Sequence, residues 1–315
     1  MKISNMNVPC KDHGITEFPN KCSDRIFCRD PFILPAGGYY YLYRSVHAKG
    51  VECLISPDLK MWSEPVNVFT PPAGFHGKKD LFWAPECHYY KGDFYIFTSV
   101  WSSMTGHRCI SVYKAADPLG PFEDIAGGCV SPREWDCIDG TLYIDEEDRP
   151  WMVFVHEWTC MPDHIGAMAA ARLSDDLTHL ISEPIQLFLA TDGPWCGAGV
   201  TDGPFMGRTD AGELIMIWSN FKKDGDGVSY AVGLARSDNG RLDGRWIQQK
   251  EPVYCRALKP EYEFEGGHAM MFYGFDGRLR MTFHAPNSHP DVYEHVNIYE
   301  AEELADTVRL GKRTE

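Results

Sequence analysis

One pattern recurs five times along the chain and limits what it can fold into. A polar residue opens a short apolar strand, a Gly- or Asp-bearing turn follows, and a strongly apolar strand returns. The first copy runs Asp30-Pro31-Phe32-Ile33-Leu34, turns at Gly37-Gly38 and returns as Tyr39-Tyr40-Tyr41-Leu42-Tyr43. The others open at Glu86, Asp139, Asp202 and His268, and return from Phe94, Trp151, Leu214 and Leu279. Each turn between two apolar runs is a hairpin signal. A third strand and a Trp- or Phe-bearing edge segment follow in most copies, as in Val51 to Ile55 and then Trp62. The openings step by 56, 53, 63 and 66 residues. Four strands per roughly 50–65 residues, repeated five times, is propeller arithmetic; a two-sheet sandwich would not repeat a hairpin at one phase. The expected fold is all-β, a single five-bladed β-propeller over residues 1–315. Its blades fall at roughly 24–70, 80–130, 136–190, 200–253 and 265–305. The one stretch with a helical look is Ala301 to Thr307.

Composition narrows the function classes. Hydrophobic residues make up 44% and charged residues 24%, enough apolar material for a packed core. Aromatics at 13% suit pleated strands. A net charge of −15 speaks against a nucleic-acid partner, which would need clustered Lys and Arg. No stretch approaches the roughly 18 apolar residues of a membrane span. The N-terminal run Met1 to Val8 has no apolar signal core, so a cytoplasmic location is the expectation. The eleven cysteines form no Cys-x-x-Cys pair and mostly sit in strand-like runs, which reads as reduced, buried thiols, with disulfides or a zinc site as the alternatives.

In a propeller the first strand of each blade lines a central channel, so the five openings Asp30, Glu86, Asp139, Asp202 and His268 are expected to converge at one mouth. Four carboxylates near one axis repel one another and split their pKa values. Separated carboxylates in a deep pocket suit glycoside hydrolysis: one activates water, another protonates the leaving oxygen, and inversion wants them about 6.5–9.5 Å apart.

The segments Arg29-Asp30-Pro31-Phe32-Ile33, Phe82-Trp83-Ala84-Pro85-Glu86 and Cys137-Ile138-Asp139-Gly140-Thr141-Leu142 resemble glycoside hydrolase family 43, and the likeness runs from about Asp24 to Glu300. That family contains inverting α-L-arabinofuranosidases, β-xylosidases and arabinanases on five-bladed propellers. The resemblance implies Asp30 as general base and Asp139 as the residue that tunes and holds the acid, with Glu86 bordering the sugar pocket. The family's acid is usually a Glu opening the fourth blade; this chain has Asp202 there, in Thr201-Asp202-Gly203-Pro204-Phe205. Asp202, Glu86 and Glu265 are therefore all candidates for the proton donor. His268 matches a family histidine that helps hold a water-coordinated calcium ion in the channel. No organic cofactor is implied.

Phe32, Trp83, Trp101 and Trp158 are candidates for a ring beneath the sugar, and His156, Glu157 and His284 for contacts with its hydroxyls. The leading expectation is an exo-acting, inverting hydrolase of arabinofuranosyl or xylosyl linkages in short oligosaccharides. A non-catalytic carbohydrate-binding propeller and a glycoside phosphorylase are the alternatives. The acidic openings speak against the phosphate site that a phosphorylase needs. The sequence leaves the oligomeric state open.

Overall fold

The computed structural model describes residues 1–3, 8–21, 25–46, 50–286 and 294–314. Asp24, where the family resemblance begins, lies outside the described residues. Five sheets of antiparallel strands follow one another along the chain, each built in sequence order from the channel outward. Their innermost strands are Phe32–Ala36, Gly77–Tyr90, Cys137–Ile144, Asp202–Arg208 and Gly267–Tyr273. Each pairs with the apolar strand after its turn: Tyr39–Val46, Asp93–Ser102, Pro150–His156, Leu214–Asp224 and Leu279–Ala285. This is the five-bladed propeller that the repeat predicts. The fourth sheet gains a strand from Lys2–Ile3, which pairs with Gly207 and Arg208 on its channel side.

The blades hold together face to face through side chains that alternate along each strand. Between the first two, the rings of Phe69 and Tyr113 stack at 3.8 Å. Between the last two, Tyr254 packs on Phe283 at 4.3 Å. Trp62 and Trp218 are fully buried. Rings of this size bury about 150–250 Å² each, which explains why the high aromatic content belongs mainly to the core.

Two expectations are corrected. Ala301 to Glu303 lie in the strand His295–Glu303, because that segment supplies the third strand of the last blade and pairs with Leu279–Ala285. The cysteines are not all reduced: Cys109 and Cys129 form a disulfide with Cα atoms 5.6 Å apart. Cys109 is the second residue of the strand Arg108–Ala115 in the second blade, and the segment after that blade's edge strand brings Cys129 back beside it. The bond Val130 N–H to Ile110 O, 2.8 Å, fixes this return. Sequence spacing of 20 residues carried no hint of it.

Candidate active site

A repeated backbone device aims the channel residues. At Asp30, Ala84, Asp139, Gly203 and His268 the backbone takes positive φ values between 44° and 54°. In four blades the ladder shifts register at the same place: Trp83/Glu86, Ile138/Thr141, Asp202/Phe205 and Gly267/Met270. Such bulges re-aim side chains at sheet ends. They cost about 1–3 kcal/mol at a non-glycine residue, so neighbouring groups must hold them.

The device also corrects the common phase expected of the five openings. Asp30, Asp139 and His268 do occupy equivalent places. Glu86 lies two residues beyond its blade's bulge residue, Ala84, hence on the same strand face but deeper in the channel. Asp202 lies one residue before Gly203. Glu86 is accordingly buried and bonded to His88 Nε2 at 2.9 Å, and it does not line the sugar-sized cavity.

Four of the five bulge amides are received by side chains of neighbouring blades. Asp139 N–H donates to Ser99 Oγ at 2.9 Å, and His268 N–H to Ser219 Oγ at 2.8 Å. Asp30 N–H donates to His284 Nδ1 at 3.1 Å, and Gly203 N–H to Asp139 Oδ2 at 3.0 Å. His284 therefore orients Asp30 from behind.

Charge is divided unequally among the carboxylates. His268 Nδ1 stands 3.1 Å from Asp30 Oδ1 and 3.7 Å from Asp139 Oδ2. Burial would lower His268, but these two acids raise it to about 10, so it carries a charge at neutral pH. Burial would likewise raise Asp30, yet the charged His268 beside it holds it well below the usual carboxylate range. Burial and the neighbouring Asp30 charge raise Asp139 to about 6, against the pull of His268. Burial, reinforced by Asp139, raises Asp202 to about 7 even though Tyr230 donates its hydroxyl to Oδ2 at 3.0 Å. One carboxylate is thus held ionised while another keeps a proton close to neutrality, which is the division that acid–base chemistry requires.

Asp30, Asp139, Asp202 and His268 share a cavity of roughly 590 Å³, within the range of ligand pockets. Trp83 and Trp158 line it as expected, with Glu157. Phe32, Trp101 and His156 do not. Phe32 is core beside His88, with ring centres 5.1 Å apart. Trp101 lies under Lys78, and His156 stacks on Trp135 at 3.8 Å, where burial lowers its pKa. Strand alternation and local stacking decided these positions, and the sequence pattern could not resolve them. His284 lines a smaller adjoining cavity with Tyr230 and Glu265.

Sequence reasoning missed several wall residues. Tyr230 comes from the third strand of the fourth blade, outside the repeat's polar phase. Arg108 sits over Trp83 at 4.6 Å and pairs with Glu157. Phe27 and the Arg29–Glu294 pair form the opposite wall. Of these, Arg29 stands in the segment that carries the family resemblance, but nothing there marked it as a wall residue.

Calcium takes about six to eight oxygen ligands. Among the described residues no three His, Cys, Asp or Glu ligand atoms gather around His268; the group that does gather is His76, Cys109 and Cys129. An ion beside His268 would draw most of its shell from water.

A five-bladed funnel that gathers several carboxylates in one pocket holds the groups that glycoside hydrolysis uses. The chain belongs to the glycosyl hydrolases family 43, whose family model matches residues 25–302. The endo-arabinase from Bacteroides thetaiotaomicron VPI-5482 is 36% identical, with 92% of this chain and 99% of that one covered, and superposes with a TM-score of 0.81. The extracellular exo-α-(1→5)-L-arabinofuranosidase ArbA of Cellvibrio japonicus (strain Ueda107) is 26% identical over 280 residues, 81% of this chain and 78% of its own. The extracellular endo-α-(1→5)-L-arabinanase 1 of Bacillus subtilis (strain 168) is 25% identical over 142 residues, 41% of this chain and 43% of its own.

Proposed function

We propose that the protein is an inverting glycosidase that removes arabinofuranosyl units from the ends of short oligosaccharides. The observation that carries this is the split ionisation of Asp30 and Asp202 within one cavity. Asp30, ionised and fixed by His268 and His284, takes a proton from the attacking water. Asp202 gives its proton to the departing oxygen. Asp139 sits between them in charge as well as place: its carboxylate raises Asp202 and accepts the Gly203 amide that positions it. Glu86 is tied to His88 off the cavity, and Glu265 accepts the Tyr230 amide at 2.9 Å, which favours Asp202 over either as the acid. The shorter side chain in place of Glu is matched by the Tyr230 hydroxyl at its back.

Release of a chain end, rather than internal cleavage, is favoured by the paired walls. Arg29–Glu294 and Arg108–Glu157 stand on two sides of the cavity, with Trp83 and Trp158 as stacking faces. Internal cleavage of arabinan is the second reading, favoured by the 36% identity to an endo-arabinase. Calcium at His268 would add positive charge to the channel; calorimetric titration with Ca²⁺ is expected to show binding in wild type and none in His268→Ala.

The test is a panel of 4-nitrophenyl glycosides together with linear arabino-oligosaccharides. Arabinofuranoside should be cleaved faster than xyloside, with arabinose the first product from the oligosaccharides. Asp30→Asn should lose about 10²–10⁴-fold in turnover with either leaving group. Asp202→Asn should lose more on the oligosaccharide than on the activated glycoside, and Glu86→Gln should show no such contrast. Inactivity on every glycoside, or full activity in Asp30→Asn, would sink the proposal; early products that are all oligosaccharides, with no arabinose among them, would select the second reading.

A further inference from the structure

We propose that His76, Cys109 and Cys129 form a second site, distinct from the sugar pocket, that takes a thiophilic divalent cation such as Zn²⁺ once the Cys109–Cys129 bond is reduced. One imidazole nitrogen and the two sulfurs lie within 4.8 Å of one another, close enough to share an ion. His76 and Cys109 are buried and Cys129 is half-buried, so the site is sheltered yet can be entered from the side of the loop. Thiolate with imidazole is a donor set that selects zinc over magnesium or calcium.

The surroundings are built to orient the imidazole. Ser102 Oγ stands 3.2 Å from His76 Nδ1 and Ser111 Oγ 3.1 Å from Nε2. One hydroxyl would yield its nitrogen to the ion, and the other would fix the ring, as partners of ligating histidines do. Asp124 Oδ2 is 3.8 Å from Nε2, placed to complete the fourth position directly or through water. Its other oxygen is occupied by the amides of Ala126 and Gly127, which anchors it. Thr105 Oγ1, 4.0 Å from Cys129 Sγ, can donate to the thiolate.

The chemistry balances in two steps. A dithiol reductant gives two electrons and two protons to the disulfide and itself becomes a disulfide, leaving two thiols on the protein. The cation then displaces one proton from each thiol, and both protons pass to solvent. Oxidation reverses the sequence and expels the ion. The site therefore answers to redox state, and Cys109 stands next to Arg108 of the sugar-pocket wall.

The test uses the full chain, reduced and freed of reductant under anaerobic conditions, with Co²⁺ as the probe. The reduced protein should bind one Co²⁺ per chain with a near-ultraviolet thiolate-to-cobalt charge-transfer band, bleached by an equivalent of Zn²⁺. The band should vanish in Cys129→Ser, a half-buried loop position chosen to spare the fold, and persist in Cys10→Ser. His76→Asn should change the visible d–d bands while leaving the near-ultraviolet circular dichroism of the protein intact. Absence of a charge-transfer band in reduced wild type, its persistence in Cys129→Ser, or equal binding to the oxidised protein would each overturn the proposal.

Discussion

Replacing Tyr230 by Phe should shift the alkaline limb of the pH–activity profile upward, the opposite of what loss of a helpful contact suggests. The Tyr230 hydroxyl donates to Asp202 Oδ2 at 3.0 Å, and this bond favours the ionised carboxylate, lowering a pKa that burial and Asp139 raise to about 7. A hydrogen bond to a charged group contributes about 1.5–3 kcal/mol and one to a neutral group about 0.5–1.5, so the ionised form loses about 1–1.5 kcal/mol more when the hydroxyl goes. At about 1.36 kcal/mol per unit, Asp202 rises by about one pH unit. Phe keeps the ring contacts with Phe221 at 5.0 Å and His284 at 5.6 Å, so packing is preserved. The assay is kcat/KM against pH on an arabino-oligosaccharide, whose leaving group needs the proton. The alkaline limb should move up by about one unit while the acidic limb stays in place. A uniform loss at every pH with the limb unmoved would refute the reasoning, because it would mean that Tyr230 only shapes the pocket.

Three further outcomes are expected. Asp202→Asn should melt higher than wild type at pH 8. A carboxyl raised to about 7 when folded contributes stability below its unfolded value of 3.8, and that contribution is lost as pH rises through 7. The gain should be about 2 °C or more at pH 8 and narrow as pH falls toward about 4, and calorimetry across pH reads it. Gly203→Ala should lose at least tenfold in activity with a Tm drop, since its φ is +50° and an added Cβ would stand 2.8 Å from the His268 ring; wild-type kinetics would contradict this. Ser99→Ala leaves the buried Asp139 amide without its acceptor and should cost about 1–3 kcal/mol in denaturant unfolding.

The repeat was legible because a propeller must bury five similar hairpins, and burial imposes alternation that a single chain displays openly. The identity of Asp30, Asp139, Asp202 and His268 as pocket residues was legible for the same reason. Their exact relation was not. The bulge inserts one residue at Ala84 and at Gly203 without any fixed residue type, so Glu86 and Asp202 slid out of the common phase unseen. Phe32 and His156 misled because aromatic and imidazole rings at strand ends serve core stacking as readily as a ligand. Tyr230 and Glu294 reach the pocket from strands and segments whose place depends on ring closure, a long-range property that no local pattern encodes.

The proposed base stands where the ring is fastened. Asp30 follows a segment joined to the third strand of the last blade by the Phe27–His295 bridge and the bonds Cys28 N–H to Glu294 O and Val296 N–H to Ile26 O. Its own amide rests on His284 of the last blade. The proposed catalytic centre is thus a clasp gauge: it has its working shape only while the last blade grips the first. Gentle heating that loosens this seam should silence the protein while nearly all its strands persist, and a crosslink across the seam should raise the temperature of inactivation more than that of unfolding.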